Sequence, residues 1–236
     1  MLNEKMQESA DILLRAYKTY GDKVVFLTSF SMEDNVITDL LSRAGIGIRH
    51  FTLDTGRLAQ ETYDIMEVIS NRYGITPEIV LPRADEVEDM VRAHGINLFR
   101  DSLSMRKLCC ETRKIRPLNR ILSGKGAWIS GIRAEQTSYR KKSEMVESDP
   151  LRPGIMKYNP LLNWSSAYVK EYTEKFAIPV NALYSRGYRS IGCAPCTRAV
   201  LPHESERSGR WWWEDGVKEC GIHAAVRFIP ALKGDE

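Results

Sequence analysis

The side chains best suited to chemistry in this sequence are its five cysteines: Cys109, Cys110, Cys193, Cys196 and Cys220. Two are adjacent, two form a Cys-x-x-Cys, and one stands alone near the C-terminus. An odd count at ordinary frequency argues against a disulfide-stapled secreted scaffold. In a reducing compartment the set reads as four metal-ligating thiolates plus one free thiol. Cys193-Ala-Pro-Cys196 puts two thiolates on one tight turn, a spacing that fits one metal centre. Cys109-Cys110 must then supply the other pair. Neighbouring side chains point apart, so both reach one centre only at a helix end or a distorted turn. Zinc usually draws on C-x₂₋₄-C arms, whereas an adjacent pair suits the separate corners of a larger cubane. The residues alone leave an iron–sulfur cluster and a zinc site both open, ahead of unligated core cysteines.

A dense cationic run surrounds the adjacent pair: Arg106, Lys107, Arg113, Lys114, Arg116 and Arg120. Cations beside an anionic metal–thiolate centre offset its charge and can hold an anionic substrate next to it. A solvated helix face or a nucleic-acid patch would look the same from sequence. Cys220 differs from the other four. It lies in Lys218-Glu219-Cys220-Gly221-Ile222-His223, behind the block Trp211-Trp212-Trp213. Glycine beside it and basic groups on either side favour an exposed thiolate, which is what a nucleophilic cysteine requires. An inert core thiol is the bland reading. The three tryptophans read as packing or an interface, and His50 and His94 as structural.

The elements that must position these groups can be read from hydrophobic periodicity. Residues 2–20 carry apolar positions at helical spacing. Val24 to Thr28 is an apolar run of strand length, followed by a polar turn and a helical stretch from Asn35 to about Gly45. The pattern repeats with a strand over Ile46–Leu53, a turn over Asp54–Arg57 and a helix over Leu58–Tyr73. A strand near Glu78–Leu81, a helix over Asp85–His94 and a buried strand over Ala127–Gly131 follow. Alternating strand, loop and helix predicts an α/β fold with a mainly parallel twisted sheet flanked by helices. Residues 1–184 are expected to form the α/β nucleotide-binding domain. Residues 185–236 are expected to form an irregular C-terminal segment of the same domain, with Cys220 on a mobile tail. Ligands of such sheets sit outside the carboxyl ends of the strands. Three polar loops should meet there: Ser29–Asp34, Asp54–Arg57 and Gly131–Arg140. Their backbone N–H groups suit an anion such as phosphate, although Ser31, Asp34 and Asn35 could simply cap a helix.

Composition sets the limits. The 236 residues suffice for one ample domain, and 43% hydrophobic residues can build a sizeable core. A net charge of +3 is too balanced for a general polyanion binder. No apolar run approaches the ~18 residues of a membrane span. The N-terminus has scattered charges and no apolar core of a secretory signal, so a cytoplasmic location is expected.

With these residues in view, the chain resembles the assimilatory adenylyl-sulfate (APS) reductases of bacteria, the cluster-bearing branch of the APS/PAPS reductase family. The resemblance runs from about Phe26 to His223. It rests on SFSMED (29–34), LDTGR (53–57), CCETRKIRPL (109–118), GIRAEQ (131–136), IGCAPCTRAV (191–200), ERSGRWWW (206–213) and KECGIH (218–223). It implies an adenine nucleotide α-hydrolase-like fold and a [4Fe–4S] cluster on Cys109, Cys110, Cys193 and Cys196. It also implies catalysis by Cys220. That thiolate attacks the sulfur of APS, AMP leaves, and thioredoxin or a glutaredoxin-like dithiol releases sulfite from the Cys–S–SO₃⁻ adduct. Substrate binding is expected from Ser29, Ser31, Glu33 and Asp34 of the first loop and from Asp54, Thr55, Gly56 and Arg57 of the second. Arg133 and Arg140 of the third loop, with Lys114, Arg207, Arg210 and His223, complete the expected set.

SFSMED lacks the glycine pair of the SGGxDS loop with which related ATP pyrophosphatases hold pyrophosphate. ATP cleavage is therefore not expected, and a tRNA-thiolating enzyme of the same fold becomes the weaker reading. A PAPS reductase and a non-catalytic zinc module also compete with APS reduction. The chain ends soon after His223, so a separate reductant is expected to dock. No nucleic acid and no membrane are expected as partners, and a homo-oligomer is compatible with the sequence.

Overall fold

The computed structural model describes residues 1–215, 218–219 and 221–223. Cys220 therefore lies outside the described residues. Six strands form one sheet: β1 (Val24–Leu27), β2 (Arg49–Leu53), β3 (Glu78–Val80), β4 (Ala127–Ile129), β5 (Val146–Ser148) and β6 (Met156–Tyr158). Their spatial order is β3-β2-β1-β4-β6-β5, with every pairing parallel except the edge pair β5–β6. The parallel α/β sheet expected from the sequence is what forms.

Seven helices accompany the strands among the described residues: α1 (Leu2–Tyr20), α2 (Met32–Arg43), α3 (Gln60–Tyr73), α4 (Ala84–His94), α5 (Leu103–Cys110), α6 (Arg116–Leu122) and α7 (Ser166–Lys175). The period-2 alternation of a strand sorts β1 between two cores. Val24 and Phe26 pack with Leu13, Ile37 and Tyr172 on the face covered by α1, α2 and α7. Val25 packs with Leu118, Ile121 and Trp128 on the face covered by α6. Burial on both faces is why Val-Val-Phe-Leu is continuously apolar.

Helix α2 starts at Met32, earlier than its apolar pattern indicates. Ser31 caps it by accepting from the backbone N–H of Asp34 at 3.3 Å. Strands β5 and β6 were not expected. Strand β6 is Met-Lys-Tyr, and its Lys157 is only 1% exposed. The ammonium donates to Glu147, its register partner on β5, at 3.0 Å. A buried cross-strand ion pair erases the apolar run by which a strand is recognised. Beyond Tyr184 the described chain holds only 3₁₀ turns and a single bridge, Thr197 to Arg210. That agrees with the irregular segment expected there.

Chain order reverses at β1. The path runs outward through β2 and β3, then returns to the other side of β1 as β4. The crevice beyond the carboxyl ends of β1 and β4 is the switch point at which open α/β sheets bind ligands.

Candidate functional site

A cleft of about 190 Å³ opens at that switch point. The loops after β1, β2 and β4 supply Ser29, Ser31, Thr55, Ser130 and Gly131. The C-terminal segment closes the far wall with Ser190, Gly192, Arg207, Arg210 and His223. Close approach makes the loop chemistry specific. A Cβ on Gly131 would stand 2.1 Å from Asp34 Oδ1, so only glycine lets the β4 loop pass the α2 terminus. Ser29 donates to Asp34 Oδ2 from both its N–H (2.6 Å) and its hydroxyl (2.7 Å). Burial pushes the Asp34 carboxyl up to about 6 against those bonds. Phe30 has φ 55°, a glycine-like conformation, and its ring is held among Ile65, Met66 and Ile69.

Of the expected binding residues, Ser29, Ser31, Glu33, Asp34, Thr55, Lys114, Arg140, Arg207, Arg210 and His223 line this cleft. Asp54, Gly56, Arg57 and Arg133 do not. Asp54 accepts from Tyr63 and from the N–H of Gly56, shaping the loop from within. Arg133 is 2% exposed and is spent on Glu33, Glu135 and Glu206. Burial opposes its charge, but Glu33 and Glu206 outweigh it and raise its pKa. From behind the cleft wall, this arginine holds in place the carboxylates of Glu33 and Glu206, which line the cleft. Lining residues the sequence did not single out include Gln136, Tyr184, Arg189, Ser190 and Glu206. Arg189 and Ser190 directly precede the IGCAPC motif, and that adjacency is the signal that could have found them.

His223 stacks on Trp128 at 5.6 Å with rings 13° apart. Burial first, then Lys157, Arg140 and Arg207, hold its pKa well below the usual imidazole value. It is neutral in this cleft, and its Nδ1 lacks a hydrogen-bond partner among the described residues.

A second, smaller cavity adjoins the cleft. Its wall includes Cys109, Cys110, Cys193 and Cys196, all of them buried. The adjacent pair ends α5, where the α-helix passes directly into a π-helical turn over Glu111–Ile115. That is the distorted helix end an adjacent pair requires, and π-turns concentrate at functional positions. The Cys-x-x-Cys forms a 3₁₀ turn whose Ala194 N–H donates to Arg57 O at 2.8 Å. The Trp211 N–H donates to Cys196 O at 3.1 Å. Arg57 thus belongs to this cavity and ties the LDTGR loop to the thiols.

The cationic run divides as the helix turns. Arg106, Arg113 and Lys114 face the thiols, whereas Arg116 pairs with Glu86 and Arg120 caps Leu81 O at the surface. Burial would raise the Cys193 thiol, but Lys114, a Thr55 hydroxyl at 3.3 Å and Arg210 together bring it below its usual value. Burial, then the Cys193 charge, pushes Cys196 up to about 11, and burial raises Cys109. Arg113 Nε and Trp211 Nε1 are buried donors on this wall with no hydrogen-bond partner among the described residues. Arg210, whose guanidinium carbon lies 4.7 Å from the Trp211 ring centroid, carries a third such donor in its Nε. Buried orphan donors are rare, and three of them around four thiols fit an anionic group held by sulfur. Among the described residues no group of three or more His, Cys, Asp or Glu side chains is placed to hold a metal ion.

The fold and cleft define an α/β protein with an open cleft at a parallel-sheet switch point, beside a thiol-lined chamber. The chain belongs to the phosphoadenosine phosphosulfate reductase domain family, whose profile matches residues 23–199. It is 45% identical over 226 residues to the adenosine 5′-phosphosulfate reductase of Burkholderia cepacia, covering 95% of this chain and 90% of that one. It is also 45% identical over 203 residues to the adenosine 5′-phosphosulfate reductase of Allochromatium vinosum, covering 86% and 79%. The solved phosphoadenylyl-sulfate reductase of Candida auris superposes with TM-score 0.68 at 28% identity, over 79% of this chain and 88% of that one. FMN adenylyltransferase of Candida glabrata shares the fold alone, at TM-score 0.58 and 16% identity over 81% and 61% of the chains. Among the described residues no helix is long and apolar enough to cross a membrane.

Proposed function

We propose that this protein reduces APS to sulfite and AMP in assimilatory sulfate reduction. The observation that carries the reading is a shared wall: Lys114 and Cys193 line both the cleft and the thiol chamber. A nucleotide in the cleft would therefore present its charged end beside the four cysteines. Relatives 45% identical over most of the chain bear the corresponding name.

The leaving group is a phosphate, so no strong general acid is needed. What the site must supply is positive charge around the sulfonate and phosphate oxygens. Lys114, Arg140, Arg207 and Arg210 on the cleft wall supply it. In the reaction the Cys220 thiolate attacks sulfur and forms an S–S bond. The sulfur–oxygen bond to phosphate breaks, and AMP departs with the electron pair. A dithiol reductant of the thioredoxin or glutaredoxin type then attacks Cys220 sulfur and expels sulfite. Its second thiol resolves the mixed disulfide, so the reductant becomes oxidised and Cys220 is restored.

Cys109, Cys110, Cys193 and Cys196 would hold a [4Fe–4S] cluster, the adjacent pair suiting separate corners. When bound it supplies charge and rigidity beside the substrate's anionic end, while both electrons come from thiols. Arg113 and Trp211 would supply N–H donors to an anionic group held there, and the Thr55 hydroxyl already lies at the Cys193 sulfur.

The test is incubation of anaerobically purified protein with APS and no reductant. The protein should gain the mass of one SO₃ on the peptide containing Cys220 and release AMP in equal amount. Cys220→Ser should bind APS and form no adduct. An adduct on another cysteine, or sulfite release by Cys220→Ser, overturns the reading. Iron and sulfide should be present with the four paired cysteines intact and be lost in Cys193→Ser; stoichiometric zinc alone would exclude the cluster.

A further inference from the structure

Glu219 is nearly fully buried, and its carboxylate is gripped by cations that line the substrate cleft. Arg140 donates from Nε at 2.9 Å to Oε1 and from Nη2 at 3.1 Å to Oε2. Arg207 Nη2 stands 3.5 Å from Oε2, and the Thr137 hydroxyl donates to Oε1 at 3.0 Å. The backbone is held as well. Arg106 Nη1 donates to Glu219 O at 3.2 Å. Arg207 donates to Lys218 O from Nη2 at 2.7 Å and Nε at 3.2 Å. Two residues after Cys220, Ile222 packs partly into the core around Trp128, and His223 stacks on Trp128 itself. The chain is fastened on both sides of one residue, and the fastening on the earlier side is electrostatic.

A buried ion pair contributes little net stability over an apolar replacement, but it fixes one geometry and is costly to break on one side. Here the partners are cleft arginines rather than scaffold arginines, so the geometry fixed is that of the tail relative to the cleft. We infer that Glu219 is a positioning residue that seats the adjacent thiol at the cleft through Arg140 and Arg207. The inference rests on the reading of Cys220 as nucleophile. In the folded protein the two arginines outweigh the burial penalty and lower the Glu219 pKa, so the seat is an ion pair at neutral pH.

The test compares wild type, Glu219→Gln, Glu219→Asp and Thr137→Val in two assays. In the first, iodoacetamide labels Cys220 without substrate and the rate is read by mass mapping. Releasing the seat should change that rate at least threefold in Glu219→Gln. In the second, adduct formation from APS is followed in a single turnover. Glu219→Gln should lower the rate at saturating APS at least tenfold while the APS concentration for half-saturation does not rise. Freeing two cleft cations strengthens anion binding rather than weakening it. Glu219→Asp should recover part of the rate. Thr137→Val, which leaves the ion pair in place, should shift both assays less and in the same direction, and it serves if the Gln variant fails to fold.

Wild-type rates in both assays, or a raised half-saturation concentration with an unchanged rate, overturn the inference. Failure of the parent reading looks different: wild type itself forms no adduct on Cys220, while labelling still responds to Glu219→Gln. That outcome removes the catalytic role of the seat together with the nucleophile.

Discussion

The hydroxyl of Thr55 lies 3.3 Å from the sulfur of Cys193, joining the loop after β2 to the Cys-x-x-Cys turn 138 residues later in the chain. The same oxygen accepts from the Arg57 N–H at 3.2 Å. Thr55→Val keeps the side chain's shape and removes both bonds. It should cost about 1–3 kcal/mol in unfolding free energy, the net worth of two ordinary hydrogen bonds. With the proposed cluster on the four paired cysteines, loss of iron to a chelator should also accelerate several-fold in the anaerobic protein. Urea unfolding and chelator kinetics measure the two effects; no change in either would make the contact incidental.

Two glycines should respond differently to the same methyl group. A Cβ on Gly131 meets the buried Asp34 carboxylate, which Ser29 holds in place and which cannot retreat cheaply. Gly131→Ala should therefore destabilise by about 1–3 kcal/mol, the usual cost of overpacking. A Cβ on Gly192 meets the Arg210 guanidinium at 2.3 Å, the far end of a flexible side chain. Gly192→Ala should cost less stability but displace Arg210 from the cleft. Its kcat/KM for APS should fall about tenfold, near 1.4 kcal/mol of transition-state binding. Thermal melts and steady-state kinetics on the pair distinguish the two, and equal melting temperatures would contradict the argument.

Legibility followed from where each signal resides. Strands β1 and β4 are short apolar runs, β2 follows the apolar pair Ile46 and Ile48, and the loops after all three carry Ser, Asp and Thr at the switch point. Both features are local in sequence and were visible there. The helix end under Cys109-Cys110 was also foreseeable, because adjacent thiols need it. What stayed hidden depends on distant partners. Arg133 was expected at the substrate, yet Glu33 and Glu206 claim it from 100 and 73 residues away. Strand β6 hid behind Lys157, whose charge only Glu147 makes tolerable in a strand. The stretch from α5 to α6 reads as one charge run, and only the fold separates Arg106, Arg113 and Lys114, which turn inward, from Arg116 and Arg120, which turn out.

Asp34 should leave a signature in stability against pH. Its carboxyl stands at about 6 in the folded protein against 3.8 for the free group. Between those values the folded state binds the extra proton. Its contribution to stability is thus full below pH 3.8 and is lost as pH rises through 6. The span corresponds to something on the order of 3 kcal/mol. Asp34→Asn can still accept from Ser29 and lacks the titration. The unfolding free energy of wild type minus variant should increase by about 2 kcal/mol from pH 7 to pH 4.5. A flat difference across that window would show that Asp34 is solvated.

Phe30 opposes two effects of comparable size, and magnitude decides between them. Its φ of 55° is a left-handed conformation that costs a side-chain-bearing residue about 1–2 kcal/mol. Glycine would remove that strain. The ring, however, is 1% exposed and fills the space between Ile65, Met66 and Ile69 of α3. Removing a buried phenylalanine costs about 3–5 kcal/mol even when a methyl group remains. Phe30→Gly should therefore be destabilising by about 2 kcal/mol or more. Phe30→Leu keeps most of the apolar contact and all of the strain, so it should fall between wild type and the glycine variant. The first loop is fastened to α3 through this ring, and loosening it should also weaken AMP binding. Denaturant unfolding and AMP titration of the three proteins provide the measurement. A glycine variant as stable as wild type would mean that the strain, and not the ring's burial, governs the loop.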